Sequence, residues 1–118
     1  FQIADRGAAN LNPQDDYTDF GKVVSQEVAN SMGNVGVLLC HSGQGMAIAA
    51  NRVKGIRAAL VWNVEVAVEI KTHNNANILG IPSGFEDKAT VQDMIKSWIE
   101  VKFSDEPKYA RRITKIDE

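Results

Sequence analysis

Apolar and polar positions along this chain switch between two periods, and each switch marks an element. From Tyr17 to about Met32 the residues Tyr17, Phe20, Val23, Val24, Val28 and Met32 recur at three- and four-residue steps, which predicts a helix with one apolar face. Gly33-Asn34 stops it. Val35 to Leu39 is then a nearly continuous apolar run, the pattern of a parallel strand covered on both faces. A short Ser/Gly turn follows Cys40, and Met46 to Asn51 predicts a short helix of small residues that packs closely on a sheet. The alternation continues with a strand over Ile56 to Trp62, a helix over Glu65 to His73 (buried side Val64, Ala67, Val68 and Ile70) and a strand over Ala76 to Ile81. Pro82-Ser83-Gly84 is a break. Thr90 to Phe103 predicts the longest amphipathic helix, with Val91, Met94, Ile95, Trp98, Ile99 and Phe103 on one side, and Glu106 to Ile116 a last, charged helix. At the other end, Phe1 to Ala4 is a short strand candidate, and Ala8 to Asp16 reads as a loop ending in a helix cap. Trp62 and Trp98 are expected in the core or at an interface.

Strands alternating with helices at this pitch predict an α/β domain with a mainly parallel sheet. The 118 residues, 44% hydrophobic and 24% charged, match one such domain, residues 1–118, with one core. A net charge of −2 supplies no basic field, so neither nucleic acid nor an anionic membrane is expected as a partner. The single cysteine excludes an internal disulfide, and no apolar run reaches the roughly 18 residues that span a bilayer, so a reduced, cytoplasmic setting is the expectation.

In open parallel sheets ligands bind beyond the carboxyl ends of the strands, and Cys40 lies at such an end. The turn Ser42-Gly43-Gln44-Gly45 leads into a helix whose first N–H groups have no intrahelical partner, so it can cradle an anion. A thiol beside a helix start is also the more acidic for it. The turn is neither a dinucleotide fingerprint nor a P-loop: Gly43-x-Gly45 has no third glycine, and the P-loop lysine is missing. By itself it is equally a plain strand-to-helix connection. A lone histidine at a helix end, such as His73, is more often just a favourable cap for the dipole; the other reading directs it to the sheet's carboxyl edge or to a neighbour. Lys108, Arg111 and Arg112 are either a solvated basic face or a grip for phosphate.

Five ordered blocks go further: D-D-Y-T-D-F at Asp15 to Phe20, G-V-L-L-C-H-S-G-Q-G-M-A-I-A-A-N-R at Gly36 to Arg52, G-I-R-A-A-L at Gly55 to Leu60, H-N-N-A-N at His73 to Asn77 and K-Y-A-R-R-I at Lys108 to Ile113. Together they resemble the ribose 5-phosphate isomerase B and galactose 6-phosphate isomerase family. That resemblance implies a three-layer, Rossmann-like fold and an aldose–ketose isomerase that moves a proton between C1 and C2 of a phosphorylated sugar through an enediolate. Cys40 lines up with the family's thiol base and Ser42 with the hydroxyl that assists proton movement. The amides of Gly43, Gln44 and Gly45 align with the enediolate cradle, His73 with the ring-opening histidine and Asn74 with its substrate-contacting neighbour. Tyr17 would line the pocket. Lys108 and Arg112 match two phosphate-binding arginine positions, the first held here by Lys. His41 stands at the substrate site where the family usually has Gly. No metal or organic cofactor is implied, and sites form between subunits of a homodimer, often paired into tetramers. The H-N pair favours ribose 5-phosphate over galactose 6-phosphate. The resemblance also aligns Phe1 with the family's second strand, so that the first strand and helix, with an S-D-H-A-G-like segment, have no counterpart here. A non-catalytic sugar-phosphate-binding or dimerisation module on the same scaffold is the alternative reading.

Overall fold

A computed structural model describes residues 2–118. Five helices, α1 (Tyr17–Asn30), α2 (Gln44–Asn51), α3 (Val64–Asn74), α4 (Lys88–Glu100) and α5 (Pro107–Asp117), alternate with three strands, β1 (Gly36–Cys40), β2 (Ala58–Leu60) and β3 (Ile78–Pro82). The strands form one parallel sheet in the order β1-β3-β2. Each crossover passes through a helix, as parallel pairing requires.

β3 is central and buried at every position. Its alternate residues feed two cores, because successive strand side chains point to opposite faces. Ile78 joins Val28 of α1, Leu38, and Met46 and Ala50 of α2 on one face. Leu79 and Ile81 join Val61, Ala67 of α3, and Met94 and Trp98 of α4 on the other. The result is three layers, with α1 and α2 below the sheet and α3 and α4 above it. No helix among the described residues is long and apolar enough to cross a membrane.

Polar side chains finish what the strands leave open. Asn51 exchanges both of its amide bonds with the backbone of Ala58 (2.9 and 2.8 Å), closing the outer edge of β2. Asn77 accepts from Arg57 N and donates to Gly55 O (2.8 and 2.9 Å), which pins the start of β2 to the start of β3. Asn75 ends α3 in the left-handed conformation, φ 47°.

Several expectations from the sequence need correction. Gln2 to Ala4 form no strand: one apolar side chain, Ile3, is too little to bury, and it stands 94% exposed with no pairing partner; Phe1 lies outside the described residues. β1 is an edge strand of the sheet, yet it packs on both faces, Leu38 in the lower core and Val37 against the upper one; only Leu39 within it, and Val35 just before it, are exposed. The strand predicted over Ile56 to Trp62 pairs only over Ala58–Leu60. Of the two tryptophans expected in the core or at an interface, Trp98 is in the core and Trp62 is exposed on the single chain. Met32 and Phe103 lie beyond the ends of α1 and α4, and Val23 faces solvent because the small residues Gly21 and Ser25 take the buried stripe of α1. Val64, at the start of α3, is also exposed; Ala67 is the buried residue of that helix.

Two tests follow from this architecture. Ile81→Ala should lower the unfolding free energy by about 2–5 kcal/mol in a urea titration, because the cavity opens in a core that cannot collapse around it. Asp87 caps α4 by accepting from Thr90 N at 2.7 Å, and that bond holds its carboxyl below the usual carboxylate range. A depressed folded-state pKa gives stability that is present above the unfolded value and is lost as pH falls through the folded one. Asp87→Ala should therefore lower the urea midpoint at pH 7, with the difference shrinking as pH drops below about 4.

Candidate active site

The parallel register sets Cys40 opposite Pro82 at the carboxyl end of the sheet. The turns after these two strands are tied together: Ser83 donates from N and Oγ to Cys40 O (2.9 and 3.1 Å), and Gly84 N donates to His41 O (3.0 Å). Cys40 is a free, half-buried thiol packed against the lower core. Next along the turn, Ser42 sets its Oγ 3.4 Å from Gln44 N, and Gly43 caps α2 with φ 74°. That conformation, and the space, both demand glycine at 43: a Cβ there would stand 2.5 Å from Leu60 Cδ1 and 3.2 Å from the backbone of Ile81 and Pro82.

Tyr17, the first residue of α1, lays its ring over Gly45, where a Cβ would meet Cζ and Oη at 2.6 Å. Its ring thus roofs the start of α2, whose first N–H groups have no intrahelical acceptor. His41 turns toward the second turn, its ring filling the space that a side chain at Gly84 would need and tilted against Phe85 at 5.1 Å. One cluster therefore unites Tyr17, Cys40, His41, Ser42, Gly43, Gln44 and Gly45.

A second cluster holds the rest. His73 lies in the last turn of α3, stacked on Tyr109 of α5 with centroids 4.7 Å apart and planes at 7°. Lys108 Nζ and Arg112 Cζ lie 5.0 and 5.7 Å from the centroid of the same ring. Lys108 also reaches Glu106 at 3.2 Å, so its charge is already shared. Asn74 borders a cavity of about 430 Å3 whose polar lining includes Asn51, Lys54, Arg57 and Asp117. In that wall Arg57 pairs with Asp117 at 3.2 Å. Burial, and after it the charge of Arg57, lowers the pKa of Lys71.

The two clusters do not meet within one chain. α3 runs back from the carboxyl end to the start of β3, where Gly36 N bonds Asn77 O, so His73 stands at the amino end of the strands. The length of β1 alone, about 13 Å at 3.3 Å per residue, separates that end from Cys40. His73 is therefore not directed to the carboxyl edge, one of the alternatives left open by the sequence. Tyr109, Ser83, Gly84 and Phe85 also belong to these clusters and were not singled out from the sequence. Tyr109 could have been, since Lys108 and Arg112 are four residues apart on one helix face and it lies between them.

A model of the Ribose/Galactose Isomerase family matches residues 1–116. The chain belongs to that family. The crystal structure of ribose-5-phosphate isomerase B from Mycoplasma genitalium with bound ribulose-5-phosphate superposes at a TM-score of 0.94, with 35% identity, over 99% of this chain and 77% of that one. The Thermotoga maritima ribose 5-phosphate isomerase matches at 0.91 and 36% identity, covering 98% and 79%. Ribose-5-phosphate isomerase B of Mycolicibacterium paratuberculosis is 34% identical over 112 residues, 95% of this chain and 70% of the relative.

The glycines of the two turns make a paired test. Gly43→Ala should cost about 1–3 kcal/mol in urea unfolding, since it strains a backbone hemmed in by Leu60 and β3. Gly84→Ala should cost less than about 0.5 kcal/mol, because the exposed His41 ring can swing away.

Proposed function

We propose that this single-domain chain isomerises a phosphorylated aldose to the ketose, with ribose 5-phosphate and ribulose 5-phosphate as the pair, and that its site is completed by a second copy of the chain. The observation that carries this reading is the division of the chemistry. A thiol, a hydroxyl and a glycine-lined helix start occupy one end of the sheet, and an imidazole with two cations the other. In the family such sites form between subunits, and a homodimer that sets the His73 end of one copy against the Cys40 end of the other joins them twice over.

In that site Lys108 and Arg112 of one copy hold the phosphate, Arg112 through its fork and Lys108 as a point charge. His73 moves the proton that accompanies opening of the sugar ring, and Asn74 holds the chain of hydroxyls beside it. Cys40 of the other copy, as thiolate, takes the proton from C2, and the C–H electron pair becomes the C1–C2 double bond of an enediol(ate) while the C1 carbonyl gains negative charge on O1. The amides at Gly43 to Gly45 stabilise that charge. Ser42 carries a proton between O2 and O1, and the Cys40 thiol returns its proton to C1, giving the C2 ketone and regenerating the thiolate. Atoms and electrons balance without an outside oxidant. Tyr17 and His41 border the sugar and limit its size. A reduced cytoplasmic setting, which keeps Cys40 a free thiol, suits this chemistry.

The test measures ribulose 5-phosphate formed from ribose 5-phosphate. Cys40→Ala should lower kcat by about 10²–10⁴-fold, the usual contribution of a positioned base; unchanged turnover removes the thiol from the mechanism. Cys40→Ala and His73→Ala chains, each inactive alone, should regain about a quarter of wild-type activity when unfolded together and refolded, because half the symmetric dimers are mixed and carry one intact site. No recovery would count against the two-copy site. Binding of ribose 5-phosphate with no turnover would favour a non-catalytic module.

A further inference from the structure

We propose that Tyr109 is a positioning residue for this reaction, its ring holding the imidazole of His73 and the cations of Lys108 and Arg112 in one fixed arrangement. The inference rests on the isomerase reading above and adds to it a residue outside the matched roles. Three functional groups converge on a single aromatic ring: His73 stacks on it almost parallel, at 4.7 Å and 7°, and Lys108 and Arg112 approach its centroid to 5.0 and 5.7 Å. Planar stacking and cation–π attraction both act through the ring and need no hydroxyl.

The need for such a residue follows from how the second cluster is built. His73 lies in the last turn of α3, next to the left-handed Asn75 that ends the helix. α5 buries no residue fully; Tyr109 and Ile113 are its only half-buried positions, so Tyr109 is one of just two side chains that seat it. At its far end Asp117 is bound to Arg57, and at its near end Tyr109 rests on His73. The stack therefore sets the spacing between the ring-opening group on one helix and the phosphate-binding cations on another. Those groups must grip opposite ends of one small substrate, and a misplacement of about 1 Å can cost about 10²-fold in rate.

Two variants separate this role from simple packing. Tyr109→Phe keeps the ring; Tyr109→Leu keeps apolar bulk and removes the ring face. With ribose 5-phosphate, Tyr109→Phe should stay within about twofold of wild type in kcat and KM, whereas Tyr109→Leu should lose about tenfold in kcat and raise KM several-fold. The chain holds two histidines, so a His41→Asn variant assigns the His73 Cε1 proton in an NMR spectrum. That signal should show the ring-current shift of a stacked imidazole in wild type and Tyr109→Phe, and lose it in Tyr109→Leu. An active wild type beside a Tyr109→Leu chain with unchanged constants overturns this inference alone. So does a Tyr109→Phe chain as impaired as Tyr109→Leu, which would assign the effect to the hydroxyl. A wild-type chain that does not turn over ribose 5-phosphate overturns the isomerase reading, and this inference with it.

Discussion

The pairing of β1 with β3 is the constraint on which the rest of this molecule depends. β3 is buried along its whole length and divides its side chains between two cores, so its position is set by packing on both faces. Register then does the rest: with Gly36 beside Ile78, Cys40 must fall beside Pro82, and the turns after them must meet. A slip of one residue would exchange the two faces and carry the Cys40 carbonyl away from Ser83 N and Oγ. The site's precision is thus inherited from the sheet.

Parallel β–α crossovers also explain why the chemistry is divided. A helix that follows one parallel strand has to return to the start of the next, so its last turn lies at the opposite end of the sheet from that strand's last residue. Cys40 ends a strand and His73 ends a helix. No repacking of the same topology brings them together within one copy. A site that uses both ends therefore requires a second copy of the chain, as in the isomerisation proposed above.

Much of this was legible in the residues because two kinds of signal were strong. The helices of α1, α3, α4 and α5 and the three strands follow from period and from Gly, Asn and Pro breaks, with boundaries displaced by a few residues. The failures have particular causes. Met32 and Phe103 fit the helical period but fall past the last hydrogen-bonded turn, since periodicity sees side chains and not the backbone ladder. Gly21 and Ser25 fill the buried stripe of α1 because the helix lies close to its neighbours, Met46 Sδ standing 3.0 Å from where a Gly21 Cβ would be; no hydropathy scale marks such positions. Gln2 to Ala4 look like a strand in composition, but a strand exists only where another strand pairs with it.

The motif blocks carry two messages that the sequence does not separate. In H-N-N-A-N, His73 and Asn74 belong to the second cluster, while Asn75 turns the chain at φ 47° and Asn77 bridges two strand starts. In the long block, Gly43 and Gly45 clear space at the helix start, while Asn51 closes a sheet edge. Half of what makes these blocks recognisable is therefore scaffold chemistry, needed to hold the turns in place whatever ligand they meet. The converse also holds, since Tyr109 sits in the K-Y-A-R-R-I block between two better-known cations and escapes notice as a mere aromatic. Its ring is the surface on which His73, Lys108 and Arg112 meet. The geometry of a site is often set by such residues, which touch the reacting groups without resembling them.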